Sequence, residues 1–281
     1  MKKRILVTGA NGYIGSHVIR ALLDRGADVI AADRSAEFID SRAKTILCDI
    51  FDGQSEIFSS REIPDAVLHL AWQDGFNHNA RSHMANLSAH FRFLTGLADR
   101  GVRQIAVMGS MHEIGYHEGA IDENTPCRPL SQYGAAKNAL RQSMELFCRD
   151  QGLVFQWLRG FYLLGHDERN HSVFSRLLAA EAEGKTEFPF TSGTRQYDFL
   201  TVDELAVQIA SSVLQDRVQG IINCCSGRAQ PIGEVAERFI REHGLKLRLR
   251  YGAYPDRAYD SPAVWGDDTR IRQILATEPG Q

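Results

Sequence analysis

Short apolar runs and longer stretches of helical periodicity alternate through the first half of the chain. The runs Arg4-Ile5-Leu6-Val7-Thr8, Asp28–Ala32, Lys44–Cys48, Ala66–Trp72, Gln104–Gly109 and Leu153–Leu158 have the length and continuous apolarity of buried parallel strands. Helical patterns fill the intervals from Gly15 to about Arg25, over 79–100 and over 131–150. This alternation predicts an α/β fold with a doubly wound parallel sheet. After residue 160 the elements shorten. A helix is expected near 172–183, a strand at Gln196–Leu200, a helix from Val202, a strand at Ile221–Cys224, a helix from Ile232 and a last helix near 267–275. The pattern divides into a main domain over 1–160 and a smaller lobe over 161–281, partly interleaved with it.

Composition narrows the class of protein. The 281 residues are 43% hydrophobic, and 32 Lys and Arg against 35 Asp and Glu leave a net charge of −3. That balance favours neither nucleic acid nor an anionic membrane as partner, and no apolar run is long enough to span a bilayer. The basic start Met1-Lys2-Lys3-Arg4 precedes too short an apolar stretch for a secretion signal and reads as the first strand. The five cysteines, Cys48, Cys127, Cys148, Cys224 and Cys225, are odd in number and lack C-x-x-C spacing. A disulfide framework and a zinc site are therefore not expected, and no other metal is. The expected setting is the reducing cytoplasm.

Chemistry concentrates where strands are expected to end. In a doubly wound sheet ligands bind outside the carboxyl ends of the strands. Gly9, Gly12 and Gly15 lie between the first strand and the first helix, the arrangement that presents backbone amides and a helix N-terminus to a pyrophosphate. Asp33 ends the second strand, placed to accept hydrogen bonds from an adenosine ribose. Its charge favours NAD(H), while Arg34 beside it keeps NADP(H) open. Ser110 ends the fifth strand. Tyr133 and Lys137, at i and i+4, share one face of the helix that begins after Ser131. A nearby ammonium favours the phenolate, so Lys137 is expected to lower the Tyr133 pKa toward the range useful for proton transfer at an alcohol or ketone oxygen.

These motifs resemble the extended short-chain dehydrogenase/reductases, the NAD-dependent epimerase/dehydratase family, in its nucleotide-sugar branch. The resemblance rests on Thr8–Gly15, Asp33, Asp49, His69-Leu70-Ala71, Asn86, Gly109-Ser110, Tyr133 with Lys137, Asp198–Asp203 and Trp265-Gly266-Asp267, and it covers almost the whole chain. It implies a Rossmann-type dinucleotide-binding domain and a C-terminal substrate lobe. Gly9, Asn11, Gly12, Tyr13, Ile14 and Gly15 would surround the pyrophosphate, and Asp33 and Arg34 the adenosine ribose. Asp49 and Ile50 would border the adenine. Leu70, Ala71, Trp72 and Asn86 would belong to the cofactor trough, with Phe161 flanking the nicotinamide. Tyr133 would be the acid/base, Lys137 would hold the nicotinamide ribose, and Ser110 would polarise the substrate oxygen. The family also suggests a homodimer built on the helices 79–100 and 131–150.

Departures from the family pattern indicate the reaction. Dehydratases of this branch carry an acid one or two positions after the serine, where this chain has Met111 and His112. His112 stands where epimerase-reductases resembling GDP-fucose synthase carry a cysteine, and His171 lies near their second acid/base. Tyr197 replaces a family arginine that clamps the diphosphate, leaving Arg195 and Arg257 as candidates. Met111, His112, His171, Arg195 and Arg257 form the expected substrate set. The leading expectation is reduction of the C4 ketone of a nucleoside-diphosphate, dTDP above all, 4-keto-6-deoxyhexose for a surface polysaccharide. An NAD-dependent 4-epimerase, an epimerase-reductase using His112 and His171, and a non-catalytic cofactor sensor are the alternatives. The intact Ser110, Tyr133 and Lys137 speak against the sensor.

Overall fold

The computed structural model describes residues 2–52, 57, 63–165, 172–256 and 261–277. A seven-stranded sheet forms the centre. Its strands are β1 (Arg4–Thr8), β2 (Asp28–Asp33), β3 (Lys44–Leu47), β4 (Ala66–His69), β5 (Gln104–Ser110), β7 (Val154–Gly160) and β11 (Gly220–Cys224). They lie in the order β11-β7-β5-β4-β1-β2-β3, all parallel. The order reverses between β1 and β4, so a crevice opens at their carboxyl ends. The central strands are buried along nearly their whole length, which explains their continuous apolar runs.

Helices cover both faces. On one face α1 (Tyr13–Asp24) packs beside α6 (Val202–Leu214) and α8 (Thr269–Ala276), sharing a core of Ile5, Val18, Ile19, Leu22, Ile209 and Ile271. On the other, α3 (Leu87–Asp99) and α4 (Gln132–Gln151) cover Leu6, Val67, Ile105 and Trp157. The helical pattern over 79–100 resolves into α2 (Ser82–Ala85) and α3, interrupted at Asn86, whose side-chain amide donates to Gln73 at 2.9 Å.

The lobe is built on a second sheet, β12 (Ala229–Pro231), β10 (Gln196–Thr201), β14 (Ala263–Gly266) and β6 (Gly119–Ile121), with β8 (Tyr162–Leu164) also pairing β10. Strands β9 (Glu187–Pro189) and β13 (Arg248–Arg250) pair separately. Helices α5 (Val173–Ala182) and α7 (Ile232–Glu242) pack on a third core containing Phe174, Phe188, Phe199 and Phe239. The chain crosses between the units repeatedly, because β6 precedes α4 while β11 returns to the main sheet.

Asp198 fastens this lobe. Its carboxylate is fully buried and accepts from Ser226 N (2.8 Å), Ser226 Oγ (2.7 Å), Gly227 N (3.0 Å) and Gly266 N (3.2 Å). One side chain thus joins β10 to the turn after β11 and to β14. Asp198→Ala strands these donors in a dry interior and should reduce stability by about 3 kcal/mol. Urea denaturation measures this; a loss below about 1 kcal/mol would show that the donors find other partners.

Candidate active site

The glycine turn lies against the end of β4. Gly9 has φ 69°, and a β-carbon there would sit 2.6 Å from Ala71 N. A β-carbon on Gly15 would overlap the Gly9 carbonyl oxygen. Only hydrogen fits at either position, so α1 starts directly over the crevice. Gly12 caps α1 without a side-chain hydrogen bond, which leaves first-turn amides for an anion. Asp33 accepts from Asn11 N (3.0 Å) and Arg34 N (2.7 Å), and Asn11 Oδ1 accepts from Phe38 N at 2.7 Å. Asp33 therefore pins the glycine turn while retaining lone pairs for a diol. Arg34 and Asp49 are exposed, and Ile50 is buried behind them. Leu70 N donates to Thr8 O at 3.1 Å, so Leu70, Ala71 and Trp72 continue along the crevice. This cradle fits a dinucleotide.

The second half of the site depends on how α4 begins. Ser131 Oγ accepts from Gly134 N (3.1 Å), His78 O from Tyr133 N (2.9 Å) and Asn79 Oδ1 from Gln132 N (3.3 Å). The segment after Trp72 thus satisfies amides that a helix start leaves unpaired. Asp74, at φ 56°, turns that segment, and its carboxylate accepts from Ser82 Oγ at 2.5 Å. A β-carbon on Gly134 would overlap the His112 carbonyl oxygen. That close approach seats the helix on the 3-10 turn Met111–Glu113 and brings Tyr133 beside Ser110.

Lys137, only 2% exposed, donates to Met108 O at 2.8 Å and lies 3.8 Å above the Trp72 ring. Trp72 is braced from two sides. His90 stacks on it at 4.4 Å, and its indole N–H donates to His83 Nδ1 at 3.1 Å. Accepting at Nδ1 leaves the His83 proton on Nε2, where it reaches Asn77 O at 2.9 Å. Behind them, His69 joins Thr8 Oγ1 and His90 Nδ1, each at 2.8 Å. His78 stacks on Tyr133 at 5.3 Å, and His112 lies 4.4 Å from His78.

Burial governs the electrostatics. It pushes Lys137 down to about 7 and Tyr133 up to about 12, the Ser110 hydrogen bond opposing the second shift. The sequence expectation of a lowered tyrosine pKa is therefore not met. Desolvation dominates the shift, and the Lys137 nitrogen is directed at Met108 O and the Trp72 face. Burial likewise lowers His90 to about 3 and His112 to about 4.

Among the other expected residues, Asn86 separates α2 from α3, and Phe161 reaches Gly266. Met111 is buried in the lobe core. Arg195 Nε is buried with no hydrogen-bond partner among the described residues, as suits a group held for an anion. His171 and Arg257 lie outside the described residues. Sequence reasoning missed Glu113 and Arg159, both fully buried, and His78, His83 and His90 around Trp72 and Tyr133. Trp157 and Arg159, two apart on a strand and so on one face, offered a signal for the former. Among the described residues no acid, histidine and cysteine group could hold a metal, and no helix is long and apolar enough to cross a membrane.

Residues 5–225 match the model of the NAD dependent epimerase/dehydratase family. The chain belongs to that family. It is 43% identical over 267 residues to a dTDP-6-deoxy-L-talose 4-dehydrogenase (NAD(+)) of Aggregatibacter actinomycetemcomitans, covering 93% of this chain and 98% of the relative. It is 24% identical over 306 residues to a UDP-glucose 4-epimerase of Lactobacillus helveticus, covering 98% of this chain and 92% of the relative. The fold matches the structure of a UDP-N-acetylglucosamine 4-epimerase from Methanobrevibacter ruminantium M1, with TM-score 0.85, 22% identity and coverage of 100% and 94%. The protein is an NAD(P)-dependent enzyme.

The Lys137 shift has a consequence for stability. Its folded pKa is lowered, so between about pH 7 and 10 the unfolded chain binds more protons and stability rises with pH. Above pH 10 the raised Tyr133 pKa acts in the opposite direction. Wild type should gain up to about 1.4 kcal/mol per pH unit relative to Lys137→Met over that window. Urea midpoints of both proteins at pH 7, 8 and 9.5 check this, and parallel profiles would contradict it.

Proposed function

We propose that the enzyme reduces the C4 ketone of a dTDP-linked 4-keto-6-deoxyhexose with NADH, and oxidises the alcohol when run in reverse. The observation that carries this reading is the placement of Tyr133 beside Ser110 and one turn from a buried Lys137, in a chain similar along nearly its whole length to a C4 dehydrogenase. Ser110 Oγ and Tyr133 converge on the C4 oxygen. As C4 gains hydride, Tyr133 gives its proton to that oxygen and Ser110 donates a hydrogen bond to the developing charge. The bound nicotinamide supplies the hydride. Lys137 uses one of its three N–H donors on Met108 O, leaving two for ribose hydroxyls. Asp33 favours NAD(H) by accepting from the adenosine diol, and a 2′-phosphate would meet its charge. Arg195, with its buried Nε, is the diphosphate contact.

The lobe built on the second sheet covers the sugar, and the product serves surface-polysaccharide synthesis in the cytoplasm. Pairing of α3 and α4 with a second copy makes the homodimer; Leu146 on α4, 52% exposed, would be covered there.

Purified protein freed of nucleotide tests the reading with dTDP-4-keto-6-deoxyhexose and either cofactor. One NADH oxidised per sugar reduced is expected, with NADPH slower. Tyr133→Phe should lower kcat by roughly 10²–10⁴-fold with its fold intact. Interconversion of two sugar nucleotides with no net cofactor oxidation would favour the 4-epimerase activity that the Lactobacillus helveticus relative carries.

A further inference from the structure

Glu113 is a fully buried acid inside the wall of the site, and no role above uses it. It follows Ser110 by one 3-10 turn. Its Oε1 accepts from Ser110 N at 2.6 Å and from Trp157 Nε1 at 2.9 Å. Its Oε2 accepts from Trp157 Nε1 at 2.9 Å and faces Arg159 Nη2 at 3.5 Å. Arg159 is itself fully buried and donates to Asp122 O (3.2 Å) and Asn223 Oδ1 (3.4 Å). The strand below is shaped for this contact, since a β-carbon on Gly109 would overlap the Trp157 indole nitrogen.

The carboxylate is three positions beyond the serine and is turned into β7. It is thus neither at the positions where dehydratases carry their acid nor directed as theirs must be, toward a sugar carbon. A buried carboxylate with so long a contact to its arginine is a costly feature unless its charge or its hydrogen bonds are used.

We propose that Glu113 is a positioning residue of the proton relay: its carboxylate locks the Ser110 main chain and supplies a buried negative charge within electrostatic reach of the Tyr133–Lys137 pair. The first effect holds Ser110 Oγ where it meets the Tyr133 hydroxyl. The second keeps the phenol and the ammonium protonated, the form that donates to a C4 oxyanion. Glu113 raises the pKa of both groups. The other polar groups around the pair do not replace it. Ser110 and Met108 O from β5 and the Trp72 indole carry no net charge, and His83 in α2 accepts at Nδ1 from that indole. His69 from β4, His78, His90 from α3 and His112 are all shifted toward the neutral form. Arg159 opposes Glu113 from β7.

The proposal rests on the C4 ketoreductase reading, and its test separates the two. Glu113→Gln keeps an acceptor for Ser110 N and removes the charge. The alkaline limb of kcat/KM against pH for ketone reduction should move to lower pH by roughly one unit, with KM unchanged. Glu113→Asp keeps the charge and retracts it from Ser110; the limb should stay in place while kcat falls about tenfold. Phenolate absorbance of the substrate-free protein, read against Tyr133→Phe, should show Tyr133 ionising at lower pH in Glu113→Gln. A limb and a phenolate titration unmoved in Glu113→Gln would overturn the charge role. If that variant fails to fold, Glu113→Asp with wild-type kcat would overturn the positioning role. A wild-type protein that reduces no 4-keto sugar nucleotide would sink the ketoreductase reading alone, and the phenolate shift would still decide the role of Glu113.

Discussion

The approach of α4 to the end of β5 is the contact on which the rest of the site depends. At Gly134 the helix comes so near the His112 carbonyl that no β-carbon fits between them. The position of Tyr133 relative to Ser110 follows from this contact, and that of Lys137 beneath Trp72 follows one turn later. The glycine turn repeats the device, with Gly9 pressed on Ala71. In both places backbone meets backbone at the carboxyl ends of neighbouring strands, so the two halves of the site share one rigid frame.

That frame is also dry, and dryness sets its electrical character. The lysine has one carbonyl and one indole face for company, and the histidines around it are held neutral. Burial is the largest influence driving the lysine and the tyrosine away from their charged forms. The Glu113–Arg159 pair is a buried charge arrangement in the wall of the site. A reacting oxygen that develops negative charge here meets oriented donors in place of water, the condition under which hydrogen bonds contribute most to rate.

Much of this was legible in the sequence because the main sheet obeys local rules. Its strands are short, apolar and followed by helices; the glycine turn, Asp33 and Ser110 stand at their expected ends, and Tyr133 and Lys137 on their expected helix. The lobe was less legible. Ala229–Pro231 and Arg248–Arg250 carry no strand pattern and are strands only because distant partners pair with them. The interruption at Asn86 lies inside a periodic stretch that sequence spacing reads as one helix. The histidines at 69, 78, 83, 90 and 112 look unrelated along the chain, and only the packing of β4, α3 and the 3-10 turn around Trp72 and Tyr133 unites them. The direction of the tyrosine shift was misjudged because sequence spacing reports a nearby cation and is silent on desolvation.

The central claim is that hydride moves between the nicotinamide and C4 of the sugar. Reduction with cofactor deuterated at the transferring position, followed by NMR of the product, tests it most directly. The account predicts deuterium at C4 of the hexose, on a single face, and at no other carbon. Deuterium at another ring position, or a reduced product without deuterium, would contradict it.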